Sequence, residues 1–263
     1  MSQLSFEEVV PPFDGFAAGG IAASGKTALI SWLLLPVYIW QGIRARRRII
    51  RMGPPVGPLT GFVGTESVKD AAVRLLVIGD SSAAGVGVDR IEDSLGPKLA
   101  ERIFAITGRS VFWRTAGSNS AVSADVRDHV VPNLAREAFT HIVLMIGTND
   151  AKNFHGAKRF KKGFGTLLYA LRAKWPEARL VWSPPVDMKR VPALPRALAH
   201  VLELRARIIR RMGTALCFER GAIVATTLPR VEPLGFSRDG FHASADGYVY
   251  YASHLLDYVI ERR

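Results

Sequence analysis

Cysteine is nearly missing. Cys217 stands alone among 263 residues, so no internal disulfide can staple the fold and no metal site built on paired cysteines is available. Acidic residues are also scarce, 23 against 35 Lys and Arg, and the resulting +12 favours anionic surroundings such as lipid headgroups, nucleic acid or acidic substrates. Basic and aromatic residues do not interleave as they do on RNA-binding surfaces, which turns the expectation away from nucleic acid. No apolar run reaches the length of a membrane span. What the chain does have is 48% hydrophobic residues, enough to bury a full core and exclude wholesale disorder.

The charge is unevenly spread. Residues 1–43 carry Glu7, Glu8 and Asp14 against Lys26. Residues 44–70 carry Arg44, Arg46, Arg47, Arg48, Arg51 and Lys69 against Glu66 and Asp70, and the long remainder is basic in its own right. Ala28 to Ile43 reads ALISWLLLPVYIWQGI, sixteen mostly apolar residues between Lys26 and the arginine run. As a helix it would cover about 24 Å, short of the roughly 30 Å hydrocarbon core, and Pro36 would kink it. A cleaved signal peptide is not expected, because the positive charge follows the apolar stretch. The pattern predicts an uncleaved anchor or half-inserted hairpin. Residues 28–51 would then touch an anionic membrane from its cytoplasmic side, with Trp32, Tyr38 and Trp40 at headgroup level. The plainer alternative is a helix packed on the chain's own core.

Gly20 to Thr27, GIAASGKT, spells the phosphate-loop pattern, which has meaning only between a strand and a helix. The prolines in VVPPFDGF, Val9 to Phe16, deny a central strand, and the apolar run behind is a poor neighbour for a nucleotide, so the match is read as chance. Met52 to Gly64, MGPPVGPLTGFVG, reads as a linker. The chain is thus divided into an N-terminal segment, residues 1–68, and one domain, residues 69–263.

Beyond Lys69, short apolar runs alternate with longer amphipathic ones. Arg74 to Ile78, Val111 to Arg114, His141 to Ile146, Ala178 to Trp182 and Ala222 to Ala225 look like strands buried on both faces. Helices are predicted over Leu95 to Thr107, Ser123 to Phe139, Arg159 to Lys174, Leu198 to Met212 and Ser244 to Glu261. The alternation predicts a parallel α/β sheet covered on both sides, with its ligand crevice beyond the carboxyl ends of the strands.

Three motifs follow such strands. In GDSSAAG, Gly79 to Gly85, Ser81 on a strand-to-helix turn could present its hydroxyl at the crevice with its own N–H and a helix N-terminus behind it; the same polar residues also suit a helix cap. In GTND, Gly147 to Asp150, the Asn149 carboxamide could donate to an oxyanion, or the motif could be an ordinary turn. In DGFH, Asp239 to His242, a carboxylate three residues before an imidazole can hold its tautomer. No second cluster of His and carboxylates completes a metal site, and no metal or organic cofactor is expected. His129, His141, His155, His200 and His254 read as structural or solvated.

In that order, GDSSAAG, GTND and DGFH resemble the SGNH (GDSL-type) hydrolase superfamily over roughly residues 72–260. The resemblance implies a three-layer α/β/α, flavodoxin-like sandwich with a five-stranded parallel sheet. It implies Ser81 as nucleophile, His242 as general base and acid, and Asp239 orienting His242, with Asn149 and the Ser81 N–H as oxyanion donors. A third donor is normally a Gly N–H in a segment resembling GxxGAT; here GSNSAV, Gly117 to Val122, leaves either Ser120 or Gly117 in that role. Ala243 replaces the usual Pro after the histidine. VPALPRAL, Val191 to Leu198, either lines an acyl pocket, with Arg190 and Arg196 near an anionic group, or is a surface loop. The implied activity is hydrolysis of carboxylic esters, with a small acyl ester or lipid as substrate. Acyl transfer within the same fold and a non-catalytic lipid-binding module are the alternatives.

Overall fold

Runs of apolar, β-branched residues pair most economically as buried parallel strands, because helices can then cover both faces. The computed structural model, which describes residues 19–48, 50–65, 67–135, 137–229 and 233–260, has this arrangement. After helices α1 (Gly19–Leu33) and α2 (Leu35–Arg48) come β1 (Thr60–Val63), β2 (Val73–Gly79), α3 (Leu95–Thr107), β3 (Val111–Gly117), the single turn α4 (Ser123–Asp125) and β4 (His141–Met145). Then follow α5 (Thr148–Lys152), α6 (Ala157–Lys174), β5 (Arg179–Ser183), α7 (Arg196–Glu219), β6 (Ile223–Val224) and α8 (Ala245–Val259).

The sheet order is β1-β3-β2-β4-β5-β6. All neighbours are parallel except β1, which lies antiparallel on β3 with Thr60 opposite Arg114 and Val63 opposite Val111. The five parallel strands therefore follow the flavodoxin-type doubly wound order. The sixth strand corrects the expected count of five. It also corrects the linker reading of residues 52–64, since Gly61, Phe62 and Val63 belong to the sheet and Val56 bridges Arg90.

Alternation along β2 feeds two cores. Leu76 and Ile78 join Ile142, Leu144, Phe164 and Leu202 beneath α6 and α7, whereas Leu75 and Val77 join Val143, Leu99 and Leu255 beneath α3 and α8. The helix predicted over Ser123 to Phe139 is not continuous. One turn of α4 leads into a wider π-type turn at Val126–Val130 and a tight turn at Val131–Asn133. The crowding of Val126, Val130 and Val131 just ahead of Pro132, which lacks a donor, accounts for the break.

Helices α1 and α2 meet at a 62° bend and lie along α7. Their inner side is fixed by Ser31, whose hydroxyl accepts from Arg205 at 3.2 Å, by Gln41, whose side-chain oxygen accepts from the Leu198 N–H at 3.0 Å, and by buried Ala45. Gly20 to Thr27 lies inside α1; its amides are turned along a helix axis and form no phosphate-cradling loop. The segment 9–16 ahead of it falls outside the described residues. No helix among the described residues is long and apolar enough to cross a membrane, although Gly25–Leu33 and Leu35–Ala45 meet that test as a bent pair.

Candidate active site

The nucleophile turn begins at Gly79, whose φ of 152° and position 1.8 Å, for an added Cβ, from the Met145 carbonyl oxygen leave room for no side chain. That close approach lets β2 end against β4 and turn Asp80 and Ser81 out over the sheet rim. The turn is locked by the Asp80 N–H donating to the Met145 carbonyl, by Ala84 N–H to Asp80 and by Val86 N–H to Ser81. The helix expected directly behind Ser81 is absent. Residues 80–87 are successive turns, and α3 starts only at Leu95. The Ser81 N–H makes no backbone hydrogen bond among the described residues.

The structure brings Ser81, His242 and Asp239 into one line. Ser81 Oγ lies 3.0 Å from His242 Nε2, and His242 Nδ1 lies 2.6 Å from Asp239 Oδ2. Because the carboxylate accepts at Nδ1, the imidazole proton sits there and Nε2 is left to accept from the hydroxyl. Asp239 Oδ1 accepts from Ser237 Oγ and from the Phe241 and His242 N–H groups. Burial would raise the Asp239 pKa, but these hydrogen bonds, led by that of His242, hold it well below the usual carboxylate range. Asp239 therefore stays ionised and keeps its grip on the ring.

Asn149 sits on α5, buried, with Nδ2 donating to the Ala121 carbonyl at 3.0 Å and Oδ1 accepting from Lys152 Nζ at 3.1 Å. Those two partners fix which end of the amide is which and leave one N–H for a ligand. Gly117, the last residue of β3, is wedged beneath the nucleophile turn, where a Cβ would stand 2.1 Å from the Ala84 nitrogen and 2.6 Å from the Asp80 oxygen. Ser120 lies at the tip of the following loop with φ +65°, the left-handed conformation that glycine adopts most easily. The two candidates for the third donor thus differ in place, one packed under the turn and one presented on the loop.

Three residues near these groups were given no part in the chemistry by the sequence. Lys152 follows Asn149 by three positions, a spacing that puts both on one helix face and was legible in GTNDAK. Its ammonium also lies 5.0 Å from the centre of the Phe241 ring. Asp150 accepts from the Ser123 N–H and hydroxyl at 3.0 and 2.8 Å and from His155 Nδ1 at 2.9 Å, tying α5 to α4. Nothing local signals a pairing across 27 residues. Asp80 is buried, and burial pushes its pKa up to about 6 against the Ser82 N–H and the charges of Lys152 and His242.

A cavity of about 400 Å³ opens beside Ser81 and His242, walled by Met145, Ile146, Pro184, Met188, Leu228, Phe236, Phe241 and Tyr248. Val191 lines it, so the start of the VPALPRAL stretch borders the crevice. Arg190 instead pairs with Asp187 at 3.8 Å, and Arg196 is exposed at the start of α7. Among the described residues no group of three His, Cys, Asp or Glu side chains converges as metal ligands.

Comparison with known proteins bears on the family and the fold. The sequence model of the GDSL-like lipase/acylhydrolase family matches residues 77–250. A GDSL-like esterase of Mycobacterium tuberculosis is 27% identical over 202 residues, which cover 70% of this chain and 60% of that protein. The fold resembles the crystal structure of TesA, with TM-score 0.57 and 18% identity over 70% of this chain and 97% of that one. A lipase/acylhydrolase from Enterococcus faecalis gives TM-score 0.52 and 18% identity over 73% and 99%.

Proposed function

The chain belongs to the GDSL-like lipase/acylhydrolase family, and from that premise we propose that it is a serine esterase that hydrolyses carboxylic (acyl) esters through an acyl-enzyme on Ser81. The observation that carries the reading is the continuous hydrogen-bonded line from the Ser81 hydroxyl through His242 to Asp239. His242 Nε2 takes the hydroxyl proton as Ser81 Oγ attacks the ester carbonyl, and the tetrahedral oxyanion forms. The Ser81 N–H, the remaining Asn149 N–H and the Ser120 N–H receive that charge. Ser120 is chosen over Gly117 because Gly117 is committed beneath the nucleophile turn. The imidazolium, stabilised by ionised Asp239, then protonates the departing alcohol, and water repeats the sequence on the acyl-enzyme.

The apolar walls of the cavity beside Ser81 suit an acyl chain. No residue of the proposed machinery calls for a metal or organic cofactor. The arginine run after the apolar stretch would hold the enzyme on the cytoplasmic side of a membrane.

Ser81→Ala is expected to lower p-nitrophenyl butyrate hydrolysis by at least about 10,000-fold and to abolish labelling by a fluorophosphonate, with the thermal transition unchanged. Hydrolysis by the variant at the wild-type rate sinks the proposal.

A further inference from the structure

The two N-terminal helices each have a clear inner and outer side. Ser31, Tyr38, Gln41 and Ala45 turn toward the body of the protein. Leu29 and Leu33 on α1, and Ile39, Trp40 and Ile43 on α2, turn away at helical spacing, with Leu29, Leu33 and Trp40 leaving 62%, 71% and 62% of their surface bare. So many large apolar side chains bare on two successive helices exceed what solitary exposed residues on a soluble surface require. The edges of this face are cationic, with exposed Lys26 at one end and exposed Arg44 and Arg51 at the other, inside the sequence run that adds Arg46, Arg47 and Arg48.

We propose that this outer face is a docking surface for an anionic lipid bilayer, seated in the headgroup and upper acyl region without crossing. Charge complementarity chooses the occupant, since a lipid surface offers apolar depth under a negative layer, and the face offers apolar side chains rimmed by cations. Length and tethering choose the mode. Each helix is about 21–22 Å long, neither reaches across about 30 Å of hydrocarbon, and their inner sides are held against α7.

The helices that carry this face reach the catalytic crevice region from their inner side. Trp32 meets Phe154 edge-on at 5.6 Å and Tyr38 packs tilted against it at 4.4 Å between ring centres, and the Tyr38 hydroxyl donates to the Lys152 carbonyl. Lys152 in turn holds Asn149 and lies over Phe241, a wall of the cavity. A bilayer against α1 and α2 would therefore be separated from the Phe241 wall of the cavity by these helices and Lys152, close enough to deliver a lipid-derived ester. Only this statement about delivery rests on the esterase reading; the docking stands without it.

The test is co-sedimentation of the full chain with vesicles of phosphatidylcholine, alone or mixed with phosphatidylglycerol, beside the variant Leu29→Ser/Leu33→Ser/Trp40→Ser/Ile43→Ser. The wild type is expected to pellet with the mixed vesicles and, through the Trp40 contribution, to shift its tryptophan emission to the blue. The variant should bind at least about tenfold more weakly while hydrolysing soluble p-nitrophenyl butyrate at the wild-type rate. A wild type that stays in the supernatant with mixed vesicles, or a variant that pellets equally, overturns the proposal. So does concentration-dependent self-association, lost in the variant, without vesicle binding, which assigns the face to a second copy. Vesicle binding by a protein that hydrolyses no ester leaves the docking intact and removes the esterase reading instead.

Discussion

At the scale of single residues, the orientation of one amide decides how much charge the site can absorb. Asn149 has its oxygen held by Lys152 and one N–H held by Ala121, so Lys152 is a positioning residue that acts through Asn149. Removing the Asn149 donor should reduce kcat by about 100- to 1,000-fold. Lys152→Met should reduce it by about 5- to 20-fold with KM for a small ester little changed, and Lys152→Arg should restore part of the loss. In an Asn149→Ala background Lys152→Met should add almost nothing to the loss of kcat, because the amide it orients is gone; a full additional loss in the double variant would assign Lys152 another role. Two buried groups make a second residue-scale prediction, about stability. Asp80, raised to about 6 by burial, favours folding as pH falls from 6 toward its unfolded value near 4, because the folded state then binds the extra proton. His141, lowered to about 4 by burial and by Arg109 and Arg179, does the reverse, losing stability as pH falls from 6.5 to 4. The contributions oppose each other at about 3 kcal/mol apiece. Asp80→Asn is therefore expected to be more stable than wild type at pH 7, with the gap closing toward pH 4 in urea titrations; a gap independent of pH would refute the assignment.

At the scale of elements, the legible parts were those whose pattern has one physical solution. Runs such as RLLVI and HIVLM carry apolar side chains on both faces and appear as β2 and β4. The helix over Leu95 to Thr107 has the predicted bounds, and Gly108 caps it in the left-handed conformation. Residues 60–63 were hidden because Gly and Pro surround them, and an edge strand of four residues pairing on one side needs little pattern of its own. Ser123 to Phe139 misled because its apolar spacing suits a helix while its valines and Pro132 resist one. The end of β3 supplies the prediction at this scale. A methyl group on Gly117 would meet the Asp80–Ala84 backbone, which has nowhere flexible to retreat. Gly117→Ala should lower stability by about 1–3 kcal/mol and lower kcat together with fluorophosphonate labelling, since the displaced turn carries Ser81. Unchanged labelling kinetics in a folded variant would show that the turn is not seated on Gly117.

For the whole molecule, the doubly wound order explains how Ser81, Asn149 and His242 meet. β2 and β4 are adjacent in the sheet, so the turns beyond their carboxyl ends share one rim, and the loop before α8 returns to it. That convergence was expected from the place of the three motifs directly after strands and from the family resemblance they carry. The cavity was not, because Leu228, Phe236 and Tyr248 come from stretches with no common pattern and meet only through tertiary folding. Its size bears directly on substrate choice. At about 400 Å³ it lies near the lower end of ligand pockets, roughly 300–1,000 Å³, and its walls are mainly apolar. Each methylene buried there should contribute about 0.8 kcal/mol to transition-state binding, or about fourfold in kcat/KM. Across p-nitrophenyl esters from acetate to palmitate, kcat/KM should therefore climb by about that factor per carbon and level off once the cavity is full. Acetate should be the poorest of the short esters. A maximum at acetate, or a sharp preference for acetylated sugars over aliphatic esters, would mean that the apolar cavity beside Ser81 does not receive the acyl group.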